Sequence, residues 1–137
     1  MPTRNSNQWM WSQACDLLDQ AERRHRQFFR LTVSGQARMV WEPPVDLFED
    51  EQGVVVIVAL PGVPIERIEI SYESGVLTIR AQRPIAFAGS AGSLRRIEIP
   101  YGFFERHIHL PETSLESATS ELLNGCLTIK LRKSGAS

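Results

Sequence analysis

The spacing of apolar residues along the chain changes near residue 40, from steps of three and four to steps of two. Before that point Trp11, Ala14, Leu18, Ala21, His25 and Phe28 fall on one face of an amphipathic helix. Ser12 or Asp16 is the expected cap. Gln8-Trp-Met-Trp before the stripe and Phe28-Phe29 after it add bulky apolar groups outside it. Such a face packs on its own domain or on another protein, and the surplus of large side chains favours an interaction site.

After Ser34-Gly35 and Pro43-Pro44, short apolar runs alternate with turn residues, as in an all-β domain. Val45 to Phe48 is short. Val54 to Leu60 is an unbroken β-branched run, apolar on both faces, and so needs cover on both. Arg67 to Tyr72 alternates, with Ile68, Ile70 and Tyr72 on one side, and turns at Glu73-Ser74-Gly75 into Val76 to Gln82, whose inward set is Leu77, Ile79 and Ala81. Leu94 to Ile99 and Phe103 to Leu110 are expected to form a further hairpin. Ala118 to Leu122 and Cys126 to Arg132 form the last, across Asn124-Gly125, with Leu127, Ile129 and Leu131 facing in. Many short strands with no long helix between them predict an antiparallel β-sandwich from about Trp41 to Arg132.

Composition agrees with one ordinary globular domain plus an arm: 137 residues, 42% hydrophobic and 23% charged. A domain of this size buries about two-thirds of its unfolded surface without a staple. With 15 basic and 16 acidic residues the net charge is −1, so no overall field draws nucleic acid or an anionic membrane. Arg23, Arg24, Arg26 and Arg30 beside Phe28 and Phe29 are diluted by Asp16, Asp19 and Glu22. The expectation is therefore no nucleic acid and no membrane as partner. Cys15 and Cys126 sit in no metal or disulfide pattern and read as reduced thiols. The amino terminus has no signal-peptide pattern, so a cytoplasmic location is expected.

The search for chemistry is nearly empty. The small-residue stretch Pro84 to Ser93 lacks the Lys-Ser/Thr and the strand-to-helix context of a phosphate loop. No Gly-x-Ser-x-Gly, no Cys–His arrangement and no carboxylate pair can be nominated, so the chain is not expected to be an enzyme. His107 and His109 lie two apart on a strand, but with no third ligand evident two solvent-facing histidines are the simpler reading; no metal and no cofactor are expected. Arg106 falls on the inward face with Phe104, Ile108 and Leu110. A guanidinium there needs a partner, which predicts a carboxylate, with a subunit interface as the place to find it; the alternative is a rim arginine in solvent.

Taken together, Trp41-Glu-Pro-Pro-Val-Asp-Leu-Phe-Glu, Val58-Ala-Leu-Pro-Gly-Val63, Gly75-Val-Leu-Thr-Ile79, Tyr101-Gly-Phe-Phe-Glu-Arg106, Leu110-Pro111 and Asn124-Gly-Cys-Leu127 resemble the α-crystallin domain of small heat-shock proteins. The resemblance implies an immunoglobulin-like sandwich at 40–132, a variable, partly helical N-terminal arm at 1–39 and a short tail at 133–137 without the family's Ile-x-Ile-type motif. It also implies a stress-response chaperone that captures unfolding proteins without ATP and uses no cofactor. The rival reading is a co-chaperone-like binding module of the same fold that docks on one partner.

The resemblance further assigns residues. Trp9, Trp11, Leu18, Phe28 and Phe29 of the arm are the expected client-binding groups. Val45, Leu47, Leu94, Arg95, Arg96, Ile97 and Arg106 are the expected dimer interface, formed by exchange of the Leu94–Ile97 strand between subunits. A groove for a neighbouring chain's tail is expected along Ile68, Ile70, Ala118 and Ser120. Without the tail motif, a dimer or a loosely assembled oligomer is expected rather than a tail-locked cage.

Overall fold

The computed structural model describes residues 2–24, 29–35, 38–110 and 115–135, with the side chains at 2–7 and 21–24 left aside. Among these residues a helix, α1 (Pro2–Arg24), precedes nine strands. These are β1 (Arg30–Val33), β2 (Met39–Glu42), β3 (Val45–Glu49), β4 (Gly53–Ala59), β5 (Ile68–Glu73), β6 (Val76–Arg83), β7 (Gly102–His109), β8 (Leu115–Leu123) and β9 (Cys126–Lys133). The helix starts well before the expected Ser12 or Asp16 cap. Pro2 is tolerated in a first turn, where its missing N–H has no partner to lose, and no glycine or further proline interrupts the run to Arg24.

The strands form a five-stranded sheet in the order β1-β2-β7-β6-β5 and a four-stranded sheet in the order β3-β4-β9-β8. Pairing is antiparallel except between β2 and β7, which run parallel with Trp41 beside Phe104. Two tight turns set the register of the predicted hairpins: Ser74-Gly75 and Asn124-Gly125 all have positive φ, the type I′ geometry whose twist matches the flanking strands.

Period two decides the core. Val54, Val56, Val58 and Leu60, with the β9 set Leu127, Ile129 and Leu131 beside them in the same sheet, face Leu77, Ile79, Ala81, Phe104 and Ile108 of the other sheet, and all are buried. The other face of the β4 run, Val55, Ile57 and Ala59, is half-buried between β3 and β9. The inward side of β5 is less well covered than expected. Ile68 is half-buried and packs on the core, while Ile70 and Tyr72 are exposed, because β5 is an edge strand.

Two sequence-based expectations are corrected. Leu94 to Ile99 forms no strand and no hairpin with Phe103 to Leu110, because both sides of β7 are already taken, by β6 and β2. A strand without a ladder partner has no backbone bonds to hold it. Conversely, Arg30–Val33, which falls within the arm expected at 1–39, pairs with β2 from Arg30 opposite Glu42 to Val33 opposite Met39. The five-stranded sheet thus draws its first strand from the N-terminal side of residue 40.

Candidate functional site

Five exposed large apolar side chains lie on α1. Trp9, Met10, Trp11, Leu17 and Leu18 keep between 54% and 71% of their surface open to solvent. Three of the five expected client-binding residues, Trp9, Trp11 and Leu18, therefore lie on this helix. Phe28 lies outside the described residues. Phe29 differs from the tryptophans: it is half-buried, packs on the core and meets Phe104 edge-on with ring centroids 6.2 Å apart.

The loop between β6 and β7 is fastened at its base. Arg83 Nη1 donates to the Pro100 carbonyl at 3.0 Å, and Trp41 Nε1 donates to the Tyr101 carbonyl at 3.0 Å. Beyond these clamps Leu94, Arg95, Arg96 and Ile97 are all exposed. The Arg96–Glu98 ion pair, at 3.4 Å, lies in solvent. β3 is the edge of its sheet, with Val45 half-buried and Leu47 exposed. The chain's own Leu94–Ile97 is not paired with that edge.

Arg106 is half-buried, and its Nη1 donates to the Pro43 carbonyl at 3.1 Å. The partner found within the chain is thus a carbonyl rather than the expected carboxylate. The cause is local. Pro43-Pro44 carries the chain from one sheet to the other, and that crossover brings a carbonyl of the buried Pro43 to the guanidinium. The carbonyl that Arg106 holds is thus two residues before Val45, at the root of the β3 edge.

The four expected groove residues lie on the inward faces of two edge strands. Ile68 pairs with Ala81 and Ile70 with Ile79 in one sheet, while Ala118 pairs with Leu131 and Ser120 with Ile129 in the other. Each of those partners is a buried core residue. Ile70, Ala118 and Ser120 are nevertheless exposed, because β5 and β8 have no further strand beside them.

By period two Glu105 shares the outward face of its strand with His107 and His109. In the structure it organises the outer face of β6 and β7. Arg80 Nε meets Glu105 Oε1 at 2.7 Å, His107 Nε2 lies 3.3 Å from Glu105 Oε2, and Thr78 Oγ1 lies 3.1 Å from His107 Nδ1. Burial raises the Glu105 carboxyl pKa, but hydrogen bonds and the charges of Arg80 and His107 outweigh it and leave the group below its ordinary value. The cross-strand register, with Arg80 opposite Glu105 and Thr78 opposite His107, was the missed signal. Among the described residues, no three His, Cys, Asp or Glu side chains are placed to hold a metal ion, and Cys15 and Cys126 are free thiols.

A family model described as the Hsp20/alpha crystallin family matches residues 46–137. The chain belongs to that family. The 18 kDa heat shock protein of Streptomyces albus G is 32% identical over 77% of this chain and 78% of its own length. The 22.0 kDa heat shock protein of Arabidopsis thaliana is 33% identical over 65% of this chain, which spans only 47% of that relative. Among solved structures, heat shock protein 16.0 from Schizosaccharomyces pombe superposes with a TM-score of 0.64 at 32% identity, covering 70% of this chain and 90% of that one. Hsp20/alpha crystallin membership supports a chaperone role, in a family of small heat-shock chaperones rather than enzymes. Among the described residues no helix is long and apolar enough to cross a membrane.

Proposed function

We propose that this protein is an ATP-independent holdase that covers the apolar surface of partly unfolded proteins and so prevents their aggregation. The observation that carries the reading is the exposure of Trp9, Trp11 and Leu18 on α1, beside a sandwich whose middle strands bury their inward apolar residues. Exposed aromatic groups offer large contact area without demanding one shape, which suits heterogeneous clients. Phe29 is left out of the holding set, since it packs on Phe104.

The sandwich serves as the scaffold in this reading. Two subunits exchange the Leu94–Ile97 segment, each laying it along the partner's β3 edge at Val45 and Leu47, with Arg95 and Arg96 flanking it and Arg106 bracing the crossover. Exposed, unpaired edges invite such strand addition, and a two-fold arrangement uses it twice. Ile68, Ile70, Ala118 and Ser120 offer the seam for another chain's tail. The expected setting is the cytoplasm, with unfolding proteins as partners.

The test heats a thermolabile client without ATP and follows turbidity. Full-length protein at near-stoichiometric ratio suppresses scattering, and the double variant Trp9→Ser/Trp11→Ser requires about tenfold more protein for the same effect. No suppression by the full-length protein at any ratio would remove the holdase reading.

A further inference from the structure

We infer that the β1–β2 hairpin is the floor on which a second copy's Leu94–Ile99 segment lies, so that an N-terminal strand of one subunit faces the exchanged strand of the other. The inference rests on the strand-exchange dimer proposed above and extends it to a surface outside the β3 edge.

The two sheets are unequal. Five strands in one sheet face four in the other. Because β2 passes to β3 through Pro43-Pro44 alone, the β3 end of the smaller sheet lies at the β1–β2 end of the larger one. Matching the two strand orders from the far edge sets β5 against β8, β6 against β9, β7 against β4 and β2 against β3. That matching leaves β1 with no strand opposite among the described residues.

The side chains agree. Leu31 pairs with Trp41, which pairs with the buried Phe104, so all three point to the inner side of the sheet. By period two Val33 and Met39 point the same way. An inner face should be dry, yet Leu31, Val33 and Met39 keep 46%, 61% and 55% of their surface exposed.

A strand added to the free edge of β3 would make the smaller sheet five-stranded and would lie opposite β1, at the ~10 Å spacing of packed sheets. Leu94–Ile99 has the matching pattern. Laid out as a strand, it puts Ile97 and Ile99, 43% and 57% exposed, on one face with Arg95, and Arg96 and Glu98, which pair with each other in solvent, on the other with Leu94. Two apolar rows, one on each side of the same gap, lack only each other. The clamps at Arg83 and Trp41 send the loop out from the body with its far part free to reach a neighbour.

The test uses the full chain with Cys15→Ser and Cys126→Ala. Val33→Cys combined with Ile97→Cys should yield a covalent dimer with a short bismaleimide, as should the control pair Leu47→Cys with Ile97→Cys for the β3 edge itself. Separately, Leu31→Ser/Val33→Ser should weaken the dimer about tenfold by sedimentation velocity while leaving the circular dichroism spectrum unchanged. If Leu47–Ile97 cross-links and Val33–Ile97 does not, or if the double serine variant dimerises within about twofold of the parent, the floor is wrong and the exchange dimer stands. If neither pair cross-links and the parent chain is monomeric, the exchange dimer and the floor both fall.

Discussion

The middle of the sandwich and its N-terminal flank use the same kinds of residue to opposite effect. Val54, Val56 and Val58 on β4 are at most 1% exposed, while Val33 on β1 is mostly open to solvent, though both strands are β-branched, extended and hydrogen-bonded. Local propensity therefore does not separate the two regions. What separates them is the layer opposite: β4 packs with β7 in the core, whereas the strand orders leave β1 with no strand opposite among the described residues. Apolar surface left uncovered in this way belongs to a second molecule or to a client.

Deleting the same atoms in both regions is the strongest way to break that contrast. Leu127→Ala, at a fully buried position on β9, should cost about 2–5 kcal/mol, because the core cannot collapse around the lost methyls. Leu31→Ala should cost less than about 1 kcal/mol in the isolated subunit, since half the side chain is already in water. Urea melts at low protein concentration check both. Equal losses would mean that β1 is as well packed as β9.

Arg106 tests the border between the regions, where the crossover joins the sheets. Arg106→Ala removes a charged donor from the Pro43 carbonyl and should cost about 1–3 kcal/mol in the subunit alone. In the strand-exchange dimer proposed above, Arg106 would also brace the receiving edge. The melting temperature of the variant should then rise with protein concentration less than that of the parent. Parallel concentration dependence would confine Arg106 to the fold.

Legibility in the sequence followed the same division. The inward residues of β4, β6, β7 and β9 were readable because period two within one chain determines which face is buried, and the Ser74-Gly75 and Asn124-Gly125 turns announce their hairpins. Three features were not readable. β1 was hidden because Arg30–Val33 is a short run with no alternation beyond its own 4 residues, and only the β2 edge makes it a strand. Leu94–Ile99 had the converse fault: its pattern suits a strand, but within one chain no edge receives it. The Glu105 network required the β6–β7 register, which neither strand's sequence reveals alone.

That network allows the smallest and most specific prediction, because it asks whether the outer face of the sheet belongs to the well-packed middle. Glu105 is held below its ordinary pKa of 4.5, as Arg80 and His107 outweigh the opposing effect of burial. A carboxylate lowered on folding stabilises the fold above its unfolded pKa, and that contribution is lost as pH falls through the lower folded value. The parent chain should therefore be more stable than Glu105→Gln at about pH 7, with the gap closing as both are taken to about pH 3. Arg80→Gln should reproduce part of the gap, because it removes the shortest contact to the carboxylate, 2.7 Å from Glu105 Oε1. Thermal melts across this range decide it. A gap that stays constant with pH would show that Glu105→Gln acts through shape rather than charge. A gap visible only as local hydrogen exchange in β6 and β7, with no change in the global melt, would place this outer face with the loosely held flank instead of the core.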